Sequence, residues 1–465
     1  MKSINLGQKE IIHFIGIGGI GMSGLAQVMR TMGFKIQGSD QNRNKSISNC
    51  KKSGIKIFIG HSKKNVKNAT IIVKSSAIKS NNKEIIEAKN KRIPIYSRAE
   101  VLADVVSLKK NIIITGSHGK TTTTSLVAKI LSDQNLDPTI INGGVINSLK
   151  NNAKLGNGEW SILEADESDG SFLKLPINYS IVTNIDVEHM DYYKNYKNLE
   201  KAFIQFINKT PPIGKCFVCV DNKNIQSILK KTKNKNILTY GFNKNANYRI
   251  SNVKYKISYS IFDLHYKDFK NNMRVIKNIY LKLLGEHNVL NASASIALCL
   301  NLGANINIIK KSLKNFSGVQ RRMTKVFSKN KNEFYDDYAH HPTEISSILK
   351  GVKKVYKNRK IITLFEPHRY SRVMSLKNAF SKSFIESDLV LMCPLYPAGE
   401  KNKLNFNREN FAKLISRNSK TQVILVKSQS EILNYFKKNL LDNEIIIGMG
   451  AGSISKWIRD LKYSL

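Results

Sequence analysis

The chain has 465 residues, more than one hydrophobic core serves, and at roughly 100 to 200 residues per domain it predicts about three domains. Hydrophobic residues are 41% and charged residues 23%, which excludes a disordered chain, and no stretch approaches the ~18 unbroken apolar residues of a membrane span. A net charge of +41, from 75 Lys and Arg against 34 Asp and Glu, raises nucleic acid or an acidic membrane as a partner. The basic residues are scattered among Asn and Ile with no block or arm, so the expectation is no nucleic acid and no membrane.

The first predicted strand is IIHFIG, preceded by Lys9 and Glu10 and followed by glycines, unlike the core of an export signal. It feeds a helix, GMSGLAQVMRTMG, that stops on Gly33. The same rhythm of β-branched run, polar turn and helix restarts at NIIITG (111–116) with KTTTTSLVAKILSDQ. It restarts again after GVQRR with EFYDDY, KIITLFEP, LVLMCP, QVILVK and EIIIGMG. Between about 240 and 282 the alternating, aromatic pattern predicts additional antiparallel β-structure. The expected fold is therefore α/β in three domains: a Rossmann-like one at 1–107, a central P-loop ATPase-like one with added β-structure at 108–320, and a Rossmann-like one at 321–465. Five cysteines, sparse and odd in number, argue against a disulfide framework and for a reducing compartment, with the cytoplasm expected. Cys216 and Cys219 form a C-x-x-C in an apolar alternating run without a second ligand pair, and a structural reading is preferred over zinc. A monomer or homodimer is expected.

Three motifs carry chemistry. Gly16-Ile-Gly18-Gly19-Ile-Gly21 lies between a strand and a helix, where backbone can approach a pyrophosphate at a helix N-terminus; Asp40, ending the next strand, stands where a carboxylate meets a ribose hydroxyl. That pattern alone does not separate NAD, FAD and a nucleotide sugar. Gly116-Ser117-His118-Gly119-Lys120-Thr121 again joins strand to helix. It offers successive amides, a Lys for β- and γ-phosphates and a hydroxyl for Mg²⁺, although Ile114 stands where a general P-loop has its first glycine. Glu164-Ala-Asp166-Glu167-Ser168-Asp169, following a strand, supplies hard oxygen ligands suited to Mg²⁺, with His189 in TNIDVEHMD after it. Two nucleotide-binding units fit a reaction in which one holds a nucleotide-type substrate and the other activates it with ATP. A dehydrogenase accounts only for the first motif, and a basic nucleic-acid-binding ATPase only for the charge.

GIGGIGMSG, GSHGKTTTT, EADESDGSFL, NIDVEHMD, GEHNVLNASA, GVQRR, DDYAHHPTE, FEPHRYSR, YPAGE and GMGAGS occur in that order across residues 11 to 453. Together they resemble the Mur ligases, and within that family the members that add L-alanine. The resemblance implies ATP-dependent ligation of L-alanine to the carboxylate of UDP-N-acetylmuramate through an acyl phosphate, in peptidoglycan precursor synthesis. The alternative within the family is ligation of a preformed tripeptide to the same UDP-sugar. It further implies UDP-sugar contacts at Gly18, Gly19, Gly21 and Asp40, with His61 and Ser75 as further candidates. ATP is placed at Gly116, Ser117, His118, Gly119, Lys120, Thr121 and Thr122, with His287, Asn288 and Asn291 on the adenosine side. Metal ligation falls to Thr121, Glu164 and His189, and catalysis to Lys120, Glu164, His189 and Arg322. His340, Arg369 and Arg372 are placed near the amino acid, whose carboxylate suits an Arg fork. Duller readings stand beside these: His61, His340 and His341 as structural histidines, Asn288 and Asn291 as helix caps, and Arg321 exchanging roles with Arg322. The sequence departs from the family pattern at Ser117 (Thr usual), Glu366 (Gln usual), Ser453 (Asp usual) and Ser455 (Gly usual), which puts one hydrogen bond of the third domain in doubt.

Overall fold

The computed structural model describes residues 10–465, so Lys9 lies outside the described residues. Strands β1 (Ile11–Ile15), β2 (Lys35–Asp40), β3 (Lys56–Ile59), β4 (Ile71–Lys74) and β5 (Ile95–Ser97) form a sheet in the order β3-β2-β1-β4-β5, parallel throughout. Apolar runs such as β1 and β4 suit strands covered by helices on both faces. The order reverses between β1 and β4, and such a switch point opens a crevice at the carboxyl ends of the strands. Helices α1 (Ile20–Thr31), α2 (Lys45–Lys52), α3 (Lys83–Asn90) and α4 (Arg98–Val105) complete these units. The predicted stop of α1 is found, with Gly33 at φ +96°. Helix α4 starts on a capping box, in which Ser97 Oγ accepts from Glu100 N and Glu100 Oε2 accepts from Ser97 N.

The second sheet opens with β6 (Lys110–Thr115), the strand expected at NIIITG, and continues with β7 (Thr139–Ile146), β8 (Asn151–Lys154), β9 (Trp160–Glu164), β10 (Tyr179–Val182), β11 (Cys216–Cys219) and β12 (Ile237–Gly241). The expected β-rich segment supplies β13 (Tyr248–Lys256), β14 (Tyr259–Lys267) and β15 (Met273–Leu281), and β13 joins β12 in parallel. The order is β15-β14-β13-β12-β11-β10-β6-β9-β7-β8. Helix α5 (Lys120–Asp133) follows β6 across the Gly116–Gly119 turn. Cys216 and Cys219 are buried in β11, where burial pushes both thiols up to about 12, as befits structural residues.

The third sheet has β16 (Thr324–Lys329), β17 (Asn332–Asp337), β18 (Ile361–Phe365), β19 (Leu389–Met392), β20 (Gln422–Leu425) and β21 (Ile445–Met449), in the order β16-β17-β21-β18-β19-β20. It is parallel except for β16, an antiparallel edge strand absent from the sequence-based reading. Its two faces carry separate apolar clusters, one around Phe365, Phe380 and Phe411 and the other around Phe334, Leu391 and Ile446. The chain forms two compact units. One holds the described residues through Val253 with Ile261–Lys282 and Leu290–Ser317, and thus the first sheet and most of the second; the other holds Lys254–Ser260, Leu283–Val289 and Gly318–Leu465. Among the described residues no helix is long and apolar enough to cross a membrane.

Replacing Ser97 by Ala removes the cap of α4 at a cost of about 1 kcal/mol. Amide exchange in the first turn of α4 is then expected to speed up roughly five-fold, with the second and third sheets unchanged; equal exchange in wild type and variant would show that the cap contributes nothing.

Candidate active site

In the first sheet the glycine loop is fixed from within. Gly16 N and Ile17 N donate to Ser39 O at 2.9 and 3.0 Å, Gly18 N donates to Asp40 Oδ2 at 2.8 Å, and Asn44 Nδ2 donates to Gly18 O at 3.1 Å. A Cβ on Gly18 would stand 2.8 Å from Asp40 Oδ2, so this contact requires glycine. Asp40 therefore holds the loop, and its other oxygen accepts from Asn42 N at 3.2 Å. Gly19 N donates back to Gly16 O at 3.3 Å, and Ser75 lies directly against Gly16. Gly21 is overlain by the guanidinium of Arg98, a cation the sequence reading passed over although it opens the helix after the last strand. His61, following β3, turns inward, its Nδ1 3.1 Å from both Ser39 Oγ and Glu84 Oε2.

The loop between β6 and α5 is pinned by the segment after β10. Ser117 N donates to Asn184 O at 3.0 Å, His118 N to Asn184 Oδ1 at 2.8 Å, and Asp186 N to Ser117 Oγ at 2.8 Å. Thr183 Oγ1 donates to His118 O at 2.6 Å. Gly116 has φ +127°, and a Cβ there would meet Thr183 Oγ1 at 2.2 Å, so any side chain displaces the loop. Lys120 Nζ folds back onto Gly116 O (2.6 Å), Ser117 O (3.2 Å) and Glu167 Oε2 (2.8 Å). Burial opposes its charge, but Glu167, Asp166 and Glu164 more than offset this and hold the ammonium above its usual range. Burial would likewise raise Glu167, yet Lys120 and His189 keep its carboxyl at about 2.

Thr121 Oγ1 donates to Glu164 Oε1 at 3.1 Å, and Glu164 Oε2 accepts from Gly143 N at 2.6 Å. Asp166, Glu167 and His189 each offer a ligand atom, all within 4.8 Å of one another. Glu167 Oε1 is buried with no hydrogen bond among the described residues and lies 3.5 Å from His189 Nε2. An orphaned carboxylate oxygen with an imidazole and a hydroxyl–carboxylate pair at the start of α5 is a donor set that fits a hard divalent cation. Glu167 was part of the acidic run in the sequence; its contact with Lys120 spans 47 positions and was not legible there. Thr122 is buried within α5, and Asn291 Oδ1 stands so close to Gly119 that a Cβ would come within 2.4 Å.

The other unit gathers a second set. Tyr338 lies beneath two guanidinium groups, Arg321 at 4.7 Å and Arg322 at 5.5 Å from its ring centre, and Arg322 Nη1 is 3.6 Å from Glu344. His340 Nδ1 donates to Tyr338 O at 2.8 Å, and burial holds the ring neutral by pushing its pKa down to about 3. His341 caps the helix Pro342–Val355, accepting from Thr343 N at 3.3 Å. His287 is pushed down to about 4 by burial and by Arg322, and Asn288 Nδ2 donates to Leu284 O at 2.7 Å. Arg369 has φ +67° and donates through Nε to Glu400 Oε1 at 2.6 Å; Ser371 N and Oγ bind the same carboxylate. Arg372 Nη1 lies 3.2 Å from His368 Nδ1, and His368 stacks on Tyr396 with ring centres 5.5 Å apart. His368, Tyr396 and Glu400 sit inside FEPHRYSR and YPAGE but were not singled out in the sequence.

The departures from the family pattern find each other. Glu366, buried below the His368 loop, accepts from Ser453 Oγ and, at 3.0 Å, from Ile454 N at the start of the helix Ile454–Ser464. Two of the departing positions are thus paired with each other, the carboxylate coming from 366 and the hydroxyl from 453. Ser455 Oγ donates to Asp336 Oδ2 at 2.6 Å, beside Arg459. The groups that act on His368 are Arg372 and Arg369, after burial, and its pKa falls to about 4.

Three family models cover nearly the whole chain: "Mur ligase family, catalytic domain" over residues 11–110, "Mur ligase middle domain" over 114–299, and "Mur ligase, glutamate ligase domain" over 321–452. The chain belongs to the Mur ligase family. It is 55% identical to a UDP-N-acetylmuramate–L-alanine ligase of Pelagibacter ubique across 98% of this chain and 99% of that one. A Brucella anthropi protein of the same description is 39% identical, across 98% and 96%. Among solved structures, the UDP-N-acetylmuramate–alanine ligase of Thermotoga maritima matches with a TM-score of 0.81 at 28% identity, covering 98% of both chains. A murein peptide ligase of Psychrobacter arcticus shares the fold, with a TM-score of 0.72 at 22% identity and 98% of both chains covered.

The Glu366–Ser453 pair yields a rescue experiment. Glu366→Gln is expected to cost about 1 to 3 kcal/mol, because the amide loses charge and an acceptor beside Ser453 and Ile454 N. Adding Ser453→Asp should recover most of it, since the amide then donates to a carboxylate that also caps the helix. Urea unfolding of wild type, both single variants and the double variant measures this; a double variant as unstable as the sum of the singles refutes the pairing.

Proposed function

We propose that this chain is an ATP-dependent ligase that joins L-alanine to the carboxylate of UDP-N-acetylmuramate, giving UDP-N-acetylmuramoyl-L-alanine, ADP and phosphate. The observation that carries this reading is the 55% identity, end to end, with a protein described as performing that ligation. Consistent with it, the chain combines a glycine loop on one parallel sheet with a phosphate cradle on another. We place domain boundaries near residues 108 and 320 and the enzyme in the cytoplasm, as a monomer or homodimer.

A carboxylate does not acylate an amine in water, so ATP first converts it to an acyl phosphate. Gly116 to Thr122 cradle the phosphates, and Lys120, released from the carbonyls of its own loop, neutralises the charge that repels carboxylate from γ-phosphate. Thr121, Glu164 and His189, with Asp166 and Glu167, are the residues that would hold Mg²⁺. The ion, when bound, polarises the phosphoryl oxygens. Asn291 stands beside the cradle on the adenosine side; Arg322, His287 and Asn288 are the further candidates that the family resemblance names. Gly18, Gly19, Gly21, Asp40, His61 and Ser75 line the UDP-sugar crevice. Arg369 and Arg372 fork the carboxylate of L-alanine beside a neutral His340 that does not compete for it. The amine attacks the acyl phosphate, and the tetrahedral intermediate collapses to amide and phosphate.

Phosphate release from ATP and Mg²⁺ should require both UDP-N-acetylmuramate and L-alanine, and Lys120→Ala should lower it about 10³-fold. Release that responds to a tripeptide in place of L-alanine would overturn the amino-acid assignment; release that ignores the UDP-sugar would overturn the ligase reading. Chelating divalent cations with EDTA is expected to abolish release and excess Mg²⁺ to restore it, and full activity in EDTA would remove the metal from the scheme.

A further inference from the structure

The first sheet contains a buried charge to which the chemistry above assigns no task. Glu84, in the first turn of α3, is completely buried. Its Oε2 accepts from Ser39 Oγ at 2.6 Å and lies 3.1 Å from His61 Nδ1; its Oε1 accepts from Asn65 Nδ2 at 2.6 Å and from Ser62 N at 3.3 Å. His13 Nε2, from β1, stands 3.6 Å from Oε2. Burial alone would raise this carboxyl, but His13, Ser39 and Asn65 outweigh it and hold Glu84 at about 2, an anion at neutral pH. A buried ion is a weak source of stability compared with apolar packing, so its presence asks for another role.

Its partners supply one. They come from β1, β2 and the connection after β3, the segments whose carboxyl ends carry Gly18, Asp40 and His61. Ser39, held through its hydroxyl by Glu84, offers its carbonyl to Gly16 N and Ile17 N. A carboxylate only accepts, so the facing His61 Nδ1 carries the proton. The ring's Nε2 is turned away, and among the described residues none hydrogen-bonds it. We propose that Glu84 is a positioning residue for the nucleotide-sugar substrate: it fixes the rotamer and tautomer of His61 so that Nε2 is presented to the UDP-sugar. This rests on the reading of the first sheet as the UDP-sugar site.

The test is a double-mutant cycle on Glu84→Gln and His61→Ala. It is read by calorimetric binding of UDP-N-acetylmuramate and by the KM of all three substrates with kcat at saturation. Glu84→Gln is expected to weaken UDP-sugar binding about ten-fold, the loss of one charge-assisted hydrogen bond. The KM of ATP and L-alanine, and kcat, should stay unchanged. In the His61→Ala background Glu84→Gln should add nothing further. Effects that multiply, unchanged UDP-sugar binding in Glu84→Gln, or a shift of all three KM values together would each overturn the proposal. If Glu84→Gln does not fold, Glu84→Asp, which keeps the charge but withdraws it by one methylene, should show the same selective split, and its absence there overturns the proposal equally. Wild type that fails to bind the UDP-sugar, or His61→Ala that binds it normally, counts against the substrate placement itself; impaired His61→Ala beside intact Glu84→Gln counts against Glu84 alone.

Discussion

The central site is organised around one buried ammonium. Lys120 projects from the start of a helix whose N-terminal dipole end is itself positive, and withdrawing a lysine from water costs several kcal/mol unless it is paired. Two carbonyls of its own loop and Glu167 meet that demand. Its neighbours follow from it: Glu167 is buried because its charge is spent on Lys120, and His189 is drawn to the same carboxylate and raised by it. In this structure the whole of that ammonium's hydrogen-bonding capacity is turned onto its own loop and Glu167. The loop in turn depends on Thr183, Asn184 and Asp186 after β10, which hold the His118 carbonyl, the His118 amide and the Ser117 hydroxyl.

Similar economy of charge runs through the rest of the chain. A surplus of 41 positive charges leaves few carboxylates, and those at the sites each take several donors. Glu400 accepts from Arg369 and twice from Ser371, Glu366 from Ser453 and Ile454 N, and Glu84 from Ser39, Asn65 and Ser62. In the third domain burial keeps His340 and His368 neutral beside Arg369 and Arg372, so the positive charge there rests on the guanidinium groups. At 366 and 453, where both residues differ from the family pattern, a hydroxyl donor faces a carboxylate acceptor.

Much of the fold was legible because parallel α/β units write themselves as apolar runs followed by glycine turns and helices. The strands at 11–15, 110–115, 332–337, 361–365, 389–392, 422–425 and 445–449 all fall on runs picked out from sequence. Strand β16 was missed because TKVFSK is a short, polar edge strand with no buried face to impose alternation. At the sites, residue types in the glycine loops, the acidic run and the PHRYSR segment were visible. The partners that fix them were not, since Asn184, Glu400 and Glu84 approach from positions distant in the chain.

The sequence by itself determined the family, the parallel α/β class, the glycine turns between strand and helix, and the candidate cations and carboxylates. These depend on local backbone demands, on periodicity and on residue type, all written within a few turns of chain. Only the tertiary structure decided which oxygen each donor meets. It gave Asp40 to the amide of Gly18, Lys120 to Glu167, Arg369 to Glu400 and His61 to Glu84. The physical reason is that a buried charge is satisfied by whichever group the packing of separate strands and helices brings within about 3 Å, and no local pattern encodes that meeting.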